Sequence, residues 1–226
     1  MIAEEKIYTK PEHNICVSNE KLVNSILKLM KCVVTNFKTQ VNYFPKNSLN
    51  EGVLTQHFEQ QTQILIRKFD YSFNIGKEYK DVEHKSKGIP DLYFYPNDEN
   101  QIPIKSIFSI ECKRLPAPDN PKERKKEYVI GNNKNGGGIE RFKTEKHGKG
   151  LNDCGMIGFV EEETFIFWQK TINQWITEHS EKDNFWQKDE ILNITEETTD
   201  FAVLKSIACK TSQKYVHLHH LWINIT

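Results

Sequence analysis

Two acidic residues and one lysine near the middle of the chain have the types and spacing for metal-assisted phosphoryl chemistry. Asp91 follows Pro90, and the triplet Glu111-Cys112-Lys113 lies twenty residues further on. Mg²⁺ prefers one or two carboxylates, with water and phosphate oxygens as its other ligands. A metal held in this way polarises a phosphoryl oxygen and activates water. A nearby ammonium can orient that water or stabilise the transition state.

The segments around these residues predict a β-hairpin that brings them together. Two β-rich runs are separated by a short polar turn, which is typical of a hairpin. We expect Tyr95 to lie near Ile107, beside the turn. Antiparallel counting then places Asp91 opposite Glu111, and residues that lie opposite each other share a face of the sheet. Lys113 shares the face of Glu111, because side chains alternate along a strand.

At these positions the sequence resembles the PD-(D/E)XK nuclease superfamily. Its motif is a proline-aspartate, a spacer that contains a strand, and an acid-x-lysine triplet, which match Pro90-Asp91 and Glu111-Cys112-Lys113. The resemblance covers about residues 48 to 160. It implies an α/β fold with a restriction-endonuclease-like core, in which helices flank a central mixed β-sheet. A coincidental group of surface charges is the alternative, although charges that end an apolar strand cost desolvation if they have no purpose.

The resemblance also implies a cofactor and a role for each residue of the motif. Mg²⁺ is the expected metal, with Mn²⁺ as its expected substitute, and Asp91 and Glu111 are the expected ligands. Lys113 is expected to position or activate the attacking water.

A helix predicted just before these strands supplies a further acidic candidate. Residues 49–68 contain apolar residues at helical spacing, and Glu51 lies on their stripe whereas Glu59 is displaced from it. In the superfamily, a helix that precedes the strands commonly contributes an acid to the metal site. The resemblance therefore implies Glu51 as an outer catalytic acid, with Glu59 in reserve. The helix dipole also favours an acid near a helix start without any catalytic role.

A basic segment begins at the lysine of the motif. Residues 113–149 contain eleven Lys and Arg against five Asp and Glu, and contacts between such residues and phosphates supply most non-specific affinity for nucleic acid. Lys125 and Lys126 are candidate substrate-binding residues in a long irregular stretch, which we expect to close over the substrate or to order on binding. A solvated lysine loop is the alternative.

Glycine residues 136–138 lead into a predicted short helix that carries two more candidate substrate-binding residues, Arg141 and Lys143. In the superfamily, the helix after the lysine motif often adds a polar residue beside the active site. An ordinary surface pair between Arg141 and Glu145 is the alternative.

The rest of the chain predicts a globular protein with no membrane span. Residues 1–47 are expected to form an N-terminal helical extension, and residues 48–226 the nuclease-like domain. No run approaches the roughly 18 consecutive apolar residues of a membrane helix. The N-terminus has no secretion signal, and five scattered cysteines without a CxxC pair indicate reduced thiols in the cytoplasm.

Three histidines close to the C-terminus raise the question of a zinc site. His217 and His219 are expected on one face of a final strand, and His220 on the other face. No cysteine or acid lies near them in the sequence. A strand with one polar face is therefore favoured over a metal site.

With the resemblance, these features imply a Mg²⁺-dependent endodeoxyribonuclease, such as a restriction or anti-phage defence nuclease. DNA is the expected substrate, and a homodimer or a partner protein is expected because no separate recognition domain is visible. The alternative is a non-catalytic or partner-activated subunit of the same fold in a defence or DNA-processing complex. In that case the predicted N-terminal helix and the acidic residues 158–200 would serve for assembly. Otherwise these acidic residues are expected to form a solvated helical face.

Overall fold

The computed structural model describes residues 18–98, 103–118, 125–131 and 136–226. These residues form an α/β fold in which helices flank a seven-stranded mixed sheet. The helices are α1 (Asn19–Val41), α2 (Glu51–Phe69), α3 (Gly138–Lys143) and α4 (Phe165–Ser180). The strands are β1 (Phe73–Lys77), β2 (Leu92–Pro96), β3 (Phe108–Leu115), β4 (Asp153–Val160), β5 (Asn193–Glu197), β6 (Phe201–Cys209) and β7 (Tyr215–Asn224).

The strand order in the sheet is β1-β2-β3-β4-β7-β6-β5. Strands β1, β2 and β3 are antiparallel neighbours, β3, β4 and β7 run parallel, and β6 and β5 complete the sheet in antiparallel pairing. The central strand β4 is almost entirely buried, as expected for a parallel strand that is covered on both faces. The hairpin β2–β3 thus lies at the junction of the antiparallel and parallel parts of the sheet.

Helices α1 and α2 cover one face of the sheet. Their apolar residues recur every three or four positions and are buried, so each helix presents one stripe to the core. The ring of Phe37 in α1 lies 5.8 Å from that of Phe58 in α2 and 5.6 Å from that of Phe159 in β4. Helix α1 therefore shares a core with α2 and the sheet. The proposed division of the chain at residue 47 stays a prediction.

Helices α3 and α4 belong to a second apolar core on the other side of the sheet. Tyr128 anchors the basic segment in this core, because its hydroxyl accepts a hydrogen bond from Nε1 of Trp222 at 2.8 Å and lies 2.8 Å from Nδ1 of His220. Burial lowers the pKa of His220 to about 3. His219, on the opposite face, lies 2.8 Å from a carboxylate oxygen of Asp153. These contacts favour the strand interpretation of the C-terminal histidines.

The structure bears on two sequence predictions, namely that the cysteines are reduced and that no segment spans a membrane. Cysteines 32, 112, 154 and 209 are free thiols. None of the described helices combines the length and the apolar character needed to cross a membrane.

Candidate active site

The hairpin β2–β3 has the register that places the two motif acids together. Leu92 pairs with Ile110, so Asp91 and Glu111 lie opposite each other at the next position of the hairpin. Asp91 stands just before β2, whereas Glu111 lies inside β3. The antiparallel count made from the sequence is therefore confirmed where it matters for the site.

Beyond the end of β2, two carboxylates accept hydrogen bonds from backbone N–H groups on the edge of β3. The N–H of Cys112 donates to Oδ2 of Asp91 at 2.7 Å, and the N–H of Arg114 donates to Oε2 of Glu51 at 3.3 Å. Buried backbone N–H groups need an acceptor, and here side chains replace the missing strand. This arrangement holds Asp91 and Glu51 side by side along β3.

Helix α2 fixes the position of Glu51, which lies in its first turn. Asn50 is the N-cap, and its side-chain oxygen accepts a hydrogen bond from the N–H of Val53 at 2.9 Å. Such caps define where a helix begins. Glu59 lies two turns further on, and its carboxylate accepts a hydrogen bond from Gln63 at 3.0 Å. The structure therefore brings Glu51, and not Glu59, to the motif residues.

Lys113 lies at the centre of the site, where two hydrogen bonds and one further ion pair hold its ammonium. Its Nζ lies 3.0 Å from Oε1 of Glu51, 3.0 Å from Oε1 of Glu111 and 2.9 Å from the backbone oxygen of Cys112. The side chain is only 5% exposed. Burial alone would lower the pKa of Lys113, but the carboxylates of Glu111, Glu51 and Asp91 outweigh burial and raise it above its usual value. Lys113 is therefore an ammonium ion.

Glu111 is fully buried and enclosed by three basic side chains. Oε1 contacts Lys113 and the guanidinium of Arg141, and Oε2 lies 3.0 Å from Nδ1 of His147. Burial alone would raise the pKa of Glu111, but the contact with His147 and the charges of Lys113 and Arg141 outweigh it and lower the pKa to about 2. Glu111 is therefore ionised throughout the physiological range of pH.

Asp91 is in the opposite electrostatic situation. Burial, and then the negative charge of Glu111, raise the pKa of Asp91 to about 7. The charge of Lys113 and the hydrogen bond from Cys112 act in the other direction but do not cancel these effects. A bound cation would relieve the repulsion between the two acids. If a cation bound there, Asp91 would release its proton.

The four predicted substrate-binding residues have different environments. Arg141 in α3 contacts Glu111 and therefore lies in the site. The prediction for Lys143 is wrong, because its side chain is fully buried and its ammonium pairs with Glu190. Lys125 is exposed. Lys126 pairs with Glu178 at 2.6 Å.

His147 is a site residue that the sequence reasoning missed. It is buried, and its ring packs against Phe142 with the ring centroids 5.9 Å apart. A Cβ atom at Gly88 would lie only 2.4 Å from Cδ2 of His147. The one signal for this contact in the sequence is a glycine just before the proline-aspartate, where a side chain would collide with the ring.

The residues present fit a divalent metal ion of the type that the resemblance implies. Oε2 of Glu111 and Nδ1 of His147 are buried without a hydrogen-bond partner, and a cation would satisfy both atoms. Among the described residues there is no group of three His, Cys, Asp or Glu side chains that could already hold a metal ion. Mg²⁺ sites commonly use one or two carboxylates and complete their coordination with water and phosphate.

Comparisons with known proteins do not assign this site to a family. No family model matches the chain, and neither the curated proteins nor the solved structures contain a match.

Proposed function

We propose that the protein is a metal-dependent nuclease of the PD-(D/E)XK type that hydrolyses phosphodiester bonds in DNA. The observation that carries this proposal is the convergence of Asp91, Glu111 and Lys113 at the end of one hairpin, with Glu51 reaching them from a separate helix. The mixed sheet flanked by helices supports a restriction-endonuclease-like core. A restriction or anti-phage defence nuclease is the role that we propose for it.

In this proposal each side chain has a distinct part in the reaction. Asp91 and Glu111 would hold Mg²⁺ or Mn²⁺, which when bound polarises the phosphate and lowers the pKa of water. Lys113 orients the attacking water and offsets negative charge that develops on the phosphoryl oxygens. It does not act as a general base, because its raised pKa keeps the proton on Nζ. Water gives up a proton to the surrounding solvent as it attacks phosphorus, the bond to the leaving oxygen breaks, and that oxygen takes a proton from solvent.

A direct test is cleavage of plasmid, linear duplex and single-stranded DNA by the purified protein. We expect cleavage with Mg²⁺ or Mn²⁺ and none with EDTA, since the carboxylates alone cannot polarise the phosphate. Comparing the three substrates would show which form of DNA is cut. Absence of cleavage on every substrate with both metals would contradict the proposal of an autonomous nuclease.

One observation favours a second candidate, a partner-activated subunit of the same fold. Glu111 has no exposed surface, and the guanidinium of Arg141 contacts the oxygen that also contacts Lys113. A partner that moves Arg141 would open this carboxylate. We expect Arg141→Ala to cut DNA faster than the wild type if Arg141 blocks the site, and more slowly if Arg141 contributes to catalysis. Single-turnover rates with Mn²⁺ distinguish the two outcomes.

The contacts of α2 predict opposite outcomes for its two acids. Glu51→Gln should slow cleavage by about tenfold to a hundredfold, because residues that orient the groups around a metal contribute on this scale. Glu59→Gln is the matched control on the same helix, and it should cut at close to the wild-type rate because Glu59 contacts Gln63 outside the site. Single-turnover rates at saturating metal test both variants. Equal rates for Glu51→Gln and the wild type would remove Glu51 from the mechanism.

A further inference from the structure

The contact between His147 and Glu111 leaves one polar atom of each side chain buried and without a hydrogen bond. Nδ1 of His147 and Oε2 of Glu111 are 3.0 Å apart, which is a normal hydrogen-bond distance. Neither atom makes a hydrogen bond, and both are buried. An N–H at this distance would be expected to point at the oxygen. Buried polar atoms that lie this close without a hydrogen bond are both left unsatisfied, which costs free energy.

A shared metal ion accounts both for the distance between Nδ1 of His147 and Oε2 of Glu111 and for the missing hydrogen bond between them. Two neighbouring ligands at about 2.1 Å from an octahedral metal, at a right angle to each other, lie about 3.0 Å apart. Their lone pairs then point at the metal, which lies off the line between the two atoms.

The ring of His147 is held in place from the segment that carries Asp91. The N–H of Gly88 donates to the backbone oxygen of Lys146 at 3.1 Å, and Gly88 packs directly on the imidazole. Gly88 precedes Asp91 by three residues. The N–H of His147 donates to the backbone oxygen of Arg141 at 3.1 Å. These backbone hydrogen bonds fix His147 relative to the segment that leads to Asp91 and relative to Arg141, whose side chain contacts Glu111.

We propose that His147 is a third protein ligand of the site, beside Asp91 and Glu111, and that these three side chains, which do not form a metal-binding group in this structure, close around the ion when it binds. We further infer that the site prefers a divalent first-row transition ion to Mg²⁺. An imidazole nitrogen suits first-row transition ions such as Fe²⁺ and Zn²⁺, whereas Mg²⁺ favours oxygen ligands. Mn²⁺ also favours oxygen, but it is softer than Mg²⁺ and accepts an imidazole more readily. This inference rests on the proposed metal-dependent function, and it changes Mn²⁺ from a substitute for Mg²⁺ to the better-bound ion of the two.

Pulsed electron paramagnetic resonance of Mn²⁺ bound to the metal-free protein tests the ligand without any DNA. We expect coupling from a directly bound nitrogen in the wild type and its loss in His147→Gln. His219→Gln is the matched control, because His219 also contacts a carboxylate, that of Asp153 at 2.8 Å. This control should keep the nitrogen signal. Thermal unfolding of the metal-free variants shows that each is folded.

Competition between the two metals tests the preference. In the wild type, Mg²⁺ should displace Mn²⁺ only at a large excess, and His147→Gln should reduce this preference by about tenfold or more. Mn²⁺ bound to the wild type without nitrogen coupling, or an unchanged preference in the variant, would overturn the role of His147. The nuclease proposal would survive that result if cleavage still depends on metal. A wild type that binds neither metal and cuts no DNA would remove the proposed function and this inference together.

Discussion

Asp91→Asn is expected to abolish metal-dependent cleavage and, at the same time, to stabilise the metal-free protein at pH 8. The asparagine oxygen can still accept the hydrogen bond from the N–H of Cys112, which Asp91 accepts at 2.7 Å. It brings no negative charge, and it is a poor ligand for a metal that needs charge compensation. The variant therefore separates the fold from the chemistry of this position.

The pH dependence of the stability effect follows from the pKa of Asp91, which is raised to about 7 from its ordinary value of 3.8. Between these two values the folded protein binds a proton that the unfolded chain has released. The free energy of unfolding of the wild type therefore falls as pH rises through this window, and it levels off above pH 7. Asp91→Asn does not titrate, so its advantage should grow over the same window to about 1 to 3 kcal/mol.

Chemical unfolding of both proteins at pH 4 and pH 8 in EDTA measures this effect. The two curves should nearly coincide at pH 4 and separate at pH 8. When Mg²⁺ or Mn²⁺ replaces the EDTA at pH 8, only the wild type should become more stable. Asp200→Asn is the matched control, because Asp200 pairs with Lys38 at the surface at 2.6 Å and exposed ion pairs contribute at most about 1 kcal/mol. Cleavage by Asp91→Asn at the wild-type rate would show that Asp91 does not hold the metal.

The parts of the site that the sequence predicted depend on local rules. The position of Asp91 opposite Glu111 follows from counting residues back from the turn of a hairpin, and the pairing of Leu92 with Ile110 has the register that this count predicts. The choice of Glu51 over Glu59 follows from helical phase on one long helix, whose apolar stripe fixes which side faces the sheet. Periodicity is dependable where an element is long enough to show it.

The parts that the sequence did not predict depend on contacts between distant segments. Helix α3 has only six residues, so its phase could not separate Arg141 from Lys143. The structure separates them, because Lys143 pairs with Glu190, which lies 47 residues away in the sequence. His147 carries no motif, and its role is visible only once Gly88 is seen against its ring.

The antiparallel edge of the sheet was also not predicted. The acidic residues 158–200 were expected to form a solvated helical face or a partner surface, but they include strand β5 as well as helix α4. Strand β5 is mostly exposed, so it lacks the apolar alternation that identifies a half-buried strand. It is a strand because its backbone pairs with β6, a contact that its own sequence does not reveal.

Lys113→Met is expected to lower the maximal rate of cleavage by about a hundredfold to a thousandfold, with little change in affinity for DNA. The ammonium lies 3.0 Å from carboxylate oxygens of both Glu51 and Glu111, and only 5% of the side chain is exposed. We therefore expect it to act on charge that develops during the reaction and not to bind the DNA backbone. Interactions made only in the transition state change the rate constant more than the affinity.

Lys125→Gln should have the opposite profile, because Lys125 is exposed and has the charge that attracts a phosphate. A lost phosphate contact should make the slope of log affinity against log salt shallower by about 0.9 for duplex DNA and about 0.7 for a single strand. Lys126→Gln should have a smaller effect, since Lys126 pairs with Glu178. Lys122 and Arg124, which share this basic stretch, lie outside the described residues.

Salt titrations of binding and single-turnover rates, measured on the same variants, test both profiles. Lys28→Gln on the exposed side of α1 is the control for the loss of one surface charge, and it should leave both quantities unchanged. A rate loss in Lys113→Met that saturating DNA restores would mean that the lysine binds substrate and does not stabilise the transition state. An unchanged salt slope in Lys125→Gln would mean that the DNA approaches the site from another side, because a phosphate in contact with Lys125 must release its counterion on binding.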